Sequence, residues 1–322
     1  MTARGWFLFS LMGVVWGIPY LMIKVAVEEV SPPVVVFTRC ALGAILLLPF
    51  ALRQGGLPAT VRAHWRPLLA FACLEIIVPW FTLTDAERHL SSSTAGLLIA
   101  GVPIVGVIAA RLHSRLRPSA GSDALGDTDH LGARRFTGLA LGLGGVTVLT
   151  LPHLTGGDTR SLAEVFITVL GYATAPLIAA RRLKDVPSLH LTAACLTLAA
   201  VVYAPVAALA RPSAVPSSSA LAALAGLGVL CTAVAFVAFL ELIKEAGPTR
   251  ATVITYVNPA VAVAAGALFL HERLTPTVLA AFALILAGSV LATAAAGPRR
   301  PRRPVPWSTR QTSRADGRVE SP

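Results

Sequence analysis

Long apolar runs, separated by short polar or proline-containing breaks, dominate the pattern of the chain. The run from 251 to 270 is typical, because it holds 20 residues without a charge. At about 1.5 Å per residue such a helix is roughly 30 Å long, the thickness of a membrane's hydrocarbon core. The same pattern along the chain predicts ten membrane-spanning helices. They cover residues 6–27, 33–52, 67–84, 92–112, 136–151, 162–181, 188–210, 220–243, 251–270 and 276–296.

Composition agrees with this pattern. Apolar residues make up 55% of the chain and charged residues only 13%, and the mean hydropathy is +0.72. A soluble domain of this size is more polar, so the sequence predicts an all-α integral membrane protein. Its four cysteines lie inside apolar runs without CxxC spacing. We therefore interpret them as small core residues and expect no metal and no cofactor.

The apolar segments form an internal repeat. Ala95 lies eight residues before Pro103, as Ala251 lies eight before Pro259, which gives an offset of 156. The chain therefore divides into a first five-helix repeat at 1–151, a second at 152–296 and a tail at 297–322. A polar insert at 117–135 belongs to the first repeat. Because five is odd, the second repeat enters the membrane inverted, a design in which transporters place their binding site near the midplane.

The basic residues predict the orientation of the helices. Of the 27 Lys and Arg residues, 21 fall in segments that are cytoplasmic if the N-terminus is inside, four fall outside and two lie within spans. We expect the protein in the inner membrane, and this asymmetry predicts that both termini are in the cytoplasm. The tail is rich in Pro and Arg, so we expect it to be disordered beside anionic lipid headgroups. No folded basic domain is present, which argues against a nucleic-acid partner.

Glu75 stands near the middle of the third predicted span, where a carboxylate is costly and usually functional. One hypothesis assigns it to proton coupling. The alternative is a protonated or hydrogen-bonded group that joins helices, and the sequence gives both equal weight. Pro79, one turn later, leaves a backbone carbonyl without its helical partner.

Two cations also lie within spans. Trp16, Tyr20 and Lys24 are spaced four residues apart, so one helix face carries an aromatic stripe that ends in an ammonium group. Such a face suits an anionic or zwitterionic metabolite. Each cation also has an alternative role. The ammonium group of Lys24 reaches the membrane interface in the alternative that we favour for it, and Arg39 pairs with Glu28 or Glu29 in its own alternative. For Arg39 we favour an inward role.

Further candidates for a solute cavity are aromatic or polar side chains in several spans. Their hydroxyl groups have an alternative role, since serine and threonine in membrane helices often bond their own backbone. These candidates are Trp80, Ser93, Tyr172, Thr255, Tyr256 and Asn258. Helix-breaking positions are predicted at Pro19, Pro79, Pro103, Pro176 and Pro259.

Two short motifs have structural interpretations. The Gly13–Gly17 pair predicts a close-packed helix face, within the chain or in a homodimer. Glu272 and Arg273 lie in the turn between the last two helices, where a salt link or a helix cap is favoured.

These features together resemble a known family. The two tandem halves, the early Trp16-Gly17 pair with Lys24 after it, and Asn258-Pro259 followed by LHERLT at 270–275 are similar to the EamA-type drug/metabolite transporters. The resemblance implies export of a small organic metabolite. Members of that family often carry a second glutamate after the fourth helix, where this chain has Ser114.

Other function classes have less support. An intramembrane enzyme needs a nucleophile or metal ligands at membrane depth, but all seven histidines fall at span ends or in loops, and no HExxH or GxSxG motif occurs. A lipid-scrambling or structural membrane protein stays an alternative. The sequence thus predicts a multi-pass carrier that works by alternating access on an amino-acid-like or anionic solute, proton-coupled or exchanging.

Overall fold

The computed structural model describes residues 2–108, 133–156, 158–246, 254 and 257–293. Its described part is all-helical, and its first repeat holds α1 to α7. These are Ala3–Val15 (α1), Pro19–Val27 (α2), Pro32–Arg53 (α3), Leu57–Ala72 (α4), Val78–Ala86 (α5), Ser92–Ile99 (α6) and Ala133–Gly156 (α7). Residues 102–108 are also helical.

The second repeat continues with α8 to α13. These are Thr159–Arg182 (α8), Ser188–Leu209 (α9), Ser218–Ala225 (α10), Ala235–Ala246 (α11), Asn258–Phe269 (α12) and Pro276–Thr293 (α13). Two wider π-helical segments interrupt the α-helices. Cys73–Ile77 (π1) joins α4 to α5, and Gly226–Val234 (π2) joins α10 to α11.

The membrane character of the chain is evident from length and composition. Six described helical stretches are long and apolar enough to cross a membrane, and four shorter apolar helices accompany them. Large apolar side chains such as Phe7, Ile45 and Leu209 are exposed on the outside of the bundle, where lipid rather than water suits them. The all-helical class is confirmed, whereas a total of ten spans stays a prediction.

Three of the five pairs of corresponding helices in the two sequence repeats contact each other. The second helices, α3 and α9, pack together, as do α6 with α12 and α7 with α13, while α5 packs on α8. At the last pair the backbones themselves touch, since a Cβ on Gly288 would lie 2.3 Å from the Gly142 nitrogen. The repeat deduced from the sequence is therefore also a pattern of packing.

The first predicted span is not one continuous helix. Backbone turns occupy 16–18, and α2 restarts at Pro19, whose missing N–H is harmless in the first turn of a helix. Gly13 and Gly17 lie against the side chains of Val257 and Val261, within 2.9 and 2.4 Å of where their Cβ atoms would be. The GxxxG face thus packs inside the chain.

Some predictions fall outside the described residues. They concern residues 117–132 of the predicted insert at 117–135, the tail at 297–322 and two candidate site residues, Thr255 and Tyr256.

Candidate solute and coupling site

The π1 segment gives Glu75 an unusual backbone setting. Pro79 follows it by four residues and, without an N–H, donates no hydrogen bond to the Glu75 carbonyl. Over Cys73–Ile77 the backbone hydrogen bonds follow the wider π-helical pattern. Helix α8 approaches this segment closely, because a Cβ on Gly171 would lie 2.4 Å from the Leu74 carbonyl oxygen. The Tyr203 hydroxyl donates to the Ile77 carbonyl at 2.7 Å. Such π segments are frequent at functional sites.

The Glu75 carboxyl group faces the interior of the bundle. Its Oε2 is enclosed and has no hydrogen-bond partner among the described residues. Tyr172 on α8 and Cys195 on α9 are close enough to interact with it electrostatically. A buried carboxylate without partners is costly, so this group is suited to taking up a proton.

Arg39 on α3 also points inward, and it pairs with neither Glu28 nor Glu29. Its guanidinium carbon lies 3.6 Å from the centroid of the Trp80 ring, within the range of a cation–π interaction. Its Nε donates to the Thr232 hydroxyl at 3.0 Å. That hydroxyl donates in turn to the Leu227 carbonyl at 2.8 Å, which orients its lone pairs toward Arg39.

Two tyrosines lie near the cation, and one of them also lies near the carboxyl group of Glu75. Tyr20 on α2 is buried and interacts electrostatically with Tyr172 and Arg39. Tyr172 lies beside Trp80 and interacts with both Arg39 and Glu75. We call these five side chains the central site: Tyr20, Arg39, Glu75, Trp80 and Tyr172. Four helical segments of the first repeat and α8 of the second supply them.

Lys24 does not extend toward the interface as favoured from the sequence. Its Nζ donates to the backbone carbonyls of Glu87 at 2.7 Å and Leu90 at 3.0 Å. These carbonyls belong to the C-terminal end of α5 and its following turn, where a cation complements the helix dipole. Lys24 therefore turns inward because unpaired helix carbonyls are within its reach.

Trp16 leaves the predicted aromatic stripe. Its ring packs against Phe239, with centroids 4.8 Å apart, and against Phe236 at 6.2 Å. The break at 16–18 separates its helix from the one that carries Tyr20 and Lys24. Trp16 thus joins an apolar contact with α11 rather than the central site.

Glu272 caps a helix of the other repeat. Its carboxylate accepts hydrogen bonds from the backbone nitrogens of Ser92 at 2.7 Å and Ser93 at 3.0 Å, and from the Ser93 hydroxyl. Of the two predicted roles, a salt link or a cap, Glu272 has that of a cap, although on a helix of the other repeat, and its carboxylate occupies the positive end of α6. Gly266 makes room for it, since a Cβ there would lie 2.5 Å from Oε2.

Asn258 and the prolines serve the framework. With its nitrogen turned toward the carbonyls, the Asn258 amide donates to Ile254 at 3.0 Å and Gly13 at 3.3 Å, which ties α12 to α1. Pro19, Pro79 and Pro259 each lie in the first turn of a helix. Pro103 follows the short break at 100–101, and Pro176 lies inside α8.

Glu87 was missed by reasoning from the sequence. It follows α5 directly and is fully buried, and neither of its carboxylate oxygens has a hydrogen-bond partner among the described residues. Its sequence neighbours Asp85 and Arg88 make the segment resemble a polar loop, so the predicted span ended at 84. A continuation of the helical pattern through Ala86 was the available signal.

The apolar groove between α3 and α9 is a different kind of feature. It encloses about 300 Å³ and is lined by residues such as Phe37, Ala41 and Val201. No ionisable side chain lines it, so its chemistry is that of a lipid-facing surface.

Comparison with known proteins connects this architecture to transporters. The model of the EamA-like transporter family matches residues 3–120 and 159–294. The chain is 28% identical over 296 residues to the uncharacterized inner membrane transporter YedA of Escherichia coli, with 89% of each chain covered. The uncharacterized transporter YdfC of Bacillus subtilis is 25% identical over 280 residues, with 84% of each chain covered.

A solved crystal structure shares the fold. It superposes with a TM-score of 0.63 at 20% identity and covers 91% of this chain and 98% of its own. At that identity the likeness shows the fold alone.

Proposed function

Because the chain belongs to the EamA-like transporter family, we propose that this membrane transporter carries a small organic solute with an anionic group through the central site. The observation that carries the proposal is the state of Arg39. Transport proceeds by alternating access of the central site to the two faces of the membrane. The proposed solutes are amino-acid-like zwitterions and organic anions.

Arg39 is oriented but not neutralised. Trp80 and Thr232 hold the guanidinium group through its face and its Nε. No carboxylate pairs with it among the described residues, and its terminal nitrogens donate to no described group. An arginine with free terminal nitrogens suits bidentate binding of a carboxylate or phosphate. Tyr20 and Tyr172 add aromatic surface and hydroxyl groups beside it.

Glu75 is the proposed coupling carboxyl group. Its enclosed Oε2 has no described partner. Tyr172 interacts electrostatically with both Glu75 and Arg39, so the carboxyl group and the cation share a neighbour. A proton on Glu75 and an anion on Arg39 therefore influence each other through one small region. Proton-coupled transport is the form of the function that uses both groups.

The proposed direction is export from the cytoplasm across the inner membrane. Export is proposed from the family resemblance. The inner membrane is proposed because the relative YedA of E. coli is named an inner membrane transporter. The excess of Lys and Arg in the segments predicted to be inside supports cytoplasmic termini.

Flux in proteoliposomes tests the proposal. Wild-type protein, Arg39→Gln and Glu75→Gln are compared while a panel of amino acids and organic acids is offered on one side and proton movement is followed. Arg53→Gln is the matched control, because Arg53 is exposed at the end of the same helix. We expect Arg39→Gln to lower solute flux about 100-fold, from the loss of charged hydrogen bonds.

The two variants separate binding from coupling. Glu75→Gln is expected to keep solute exchange and to lose the proton flux that solute drives. Equal solute flux in wild type and Arg39→Gln would remove the basis of the proposal. Solute flux with no proton signal in either wild type or Glu75→Gln would make the protein a facilitator or exchanger.

A further inference from the structure

Glu87 is a second buried carboxyl group that the central site does not use. It lies in the turn between α5 and α6, is 0% exposed and has no hydrogen-bond partner for either oxygen among the described residues. An ionised carboxylate in such surroundings loses its hydration without replacement. The closed bundle therefore favours the neutral acid.

Charged and titratable groups from three other helices and one turn lie around Glu87. They are Tyr20 and Lys24 on α2, Arg39 on α3, Tyr172 on α8, and Glu272 between α12 and α13. Of the two cations among them, Lys24 donates to two backbone carbonyls, and Arg39 donates through its Nε to Thr232 rather than to Glu87. Neither forms an ion pair with the Glu87 carboxylate.

The turn that carries Glu87 is held from both sides. Lys24 binds the carbonyls of Glu87 and Leu90, while Glu272 binds the backbone nitrogens of Ser92 and Ser93. The first contact lies within the first repeat, but the second joins the two repeats. Any movement that separates the repeats at this end must break the Glu272 contact and let water reach the turn.

We propose that Glu87 is a proton-binding site sealed behind residues 87–93, which act as a gate that Glu272 holds shut. The proton stays on Glu87 while the gate is closed and passes to water when the gate opens. This inference rests on the proposed function, since it supplies the alternating-access carrier with a gate at one end. It also gives that carrier a proton site distinct from Glu75.

Labelling of a buried thiol in detergent-solubilised full-length protein measures opening of the gate. Leu90, 0% exposed, is replaced by cysteine and its reaction with a maleimide is timed, with labelling of the four native cysteines subtracted. Glu272→Gln replaces a charged acceptor, so we expect labelling to become about tenfold faster. Arg273→Gln, an exposed neighbour in the same turn, is the control and should leave the rate unchanged.

A second reporter guards against local damage from the first. Ala86 is also 0% exposed, and replacing it by cysteine changes the packing less than at Leu90. Both reporters should respond to Glu272→Gln in protein that elutes as a single folded species. Unchanged rates at both positions in folded protein would overturn the gate.

The proton site is tested by repeating the labelling with Glu87→Gln. Opening releases a proton, so opening is favoured as pH rises and disfavoured as pH falls. At each pH the labelling rate of protein with Glu87 is divided by the rate of the Glu87→Gln variant. Ionisation of the reporter thiol affects both rates equally and therefore cancels in this ratio. We expect this ratio to rise between about pH 6 and pH 8, approaching tenfold per pH unit for one released proton.

A flat ratio combined with a normal response to Glu272→Gln would overturn Glu87 as the proton site. Solute flux plays no part in this readout. A wrong choice of solute, or a failure of the proposed function, is therefore distinguishable from failure of the gate.

Discussion

The two π segments occupy corresponding places in the two repeats but hold different chemistry. In π1, Glu75 leaves a carboxylate oxygen without a described partner. In π2, Thr232 is fully engaged, since it accepts from Arg39 and donates to the Leu227 carbonyl. The repeat offset of 156 places Cys231 opposite Glu75. The same backbone irregularity therefore carries a candidate proton site in one repeat and an anchor for the cation in the other.

The largest expected effect is the loss of stability when Glu75 and Cys231 are exchanged. In the double variant Glu75→Cys with Cys231→Glu, the carboxylate moves to a position that is 0% exposed. We expect a loss of stability of about 3 kcal/mol or more, because the larger side chain overpacks this site and its polar carboxyl group loses its hydration there. Thermal unfolding measures it, and the single variant Glu75→Cys is the control. Stability equal to that control would show that π2 accepts a carboxylate as readily as π1.

The tight approach of α8 to π1 gives the next largest effect. A methyl group at Gly171 would meet the Leu74 carbonyl at 2.4 Å and the Pro79 ring at 2.8 Å. Gly171→Ala should therefore destabilise the protein by about 1–3 kcal/mol through overpacking. Gly144→Ala is the control, because nothing lies within 4 Å of its Cβ position, and it should be neutral or stabilising. Equal melting temperatures for the two variants would contradict the packing argument.

Loosening the anchor in π2 should have a smaller effect. Thr232→Val keeps the shape of the side chain and removes the oxygen that accepts from Arg39. This hydrogen bond has a charged donor and contributes about 1.5 kcal/mol or more, but only the part that orients Arg39 affects the bound solute, so the apparent affinity for solute should fall about fivefold. Concentration-dependent flux in proteoliposomes measures it. Thr174→Val, whose hydroxyl bonds its own helix at Leu170, should leave the affinity unchanged.

The smallest effect concerns the start of the helix that leads into π2. Glu29 accepts from the Ser217 nitrogen at 2.6 Å and from its hydroxyl, and these hydrogen bonds lower the pKa of Glu29. A lowered pKa means that the contact stabilises the fold above the ordinary pKa of glutamate and is lost as pH falls through the lowered value.

Glu29→Gln should thus lower the melting temperature less than Gly171→Ala does. The difference from wild type should shrink toward acidic pH. Its exposed neighbour Glu28 provides the control variant Glu28→Gln, and an identical response of the two variants would contradict a specific role for Ser217.

Much of this architecture follows from local pattern. Apolar length and breakers locate the helices, and the repeat predicts which helices correspond. Glu75 and Arg39 stand out because ionisable residues are costly inside a membrane. Both do face the interior, as the structure shows.

The remaining features depend on tertiary contacts that spacing does not reveal. Lys24 turns inward because the carbonyls of Glu87 and Leu90 are within its reach. Trp16 leaves its stripe because a helix break follows it and α11 offers two phenylalanines. Glu87 looks like a loop residue until the turn that carries it is folded beneath other helices. Long-range partners, not local propensity, decide each of these positions.

The contact of Gly142 with Gly288 gives the bundle a fulcrum. The two backbones are in direct contact there, with no side chain between them. Helices α7 and α13 therefore have little freedom to slide or separate. Rocking of one repeat against the other would pivot about this line, with the smallest displacement beside it and the largest at the helices farthest away. Spin labels on α7 and α13 should accordingly keep one separation throughout the transport cycle, while labels across the gate change theirs.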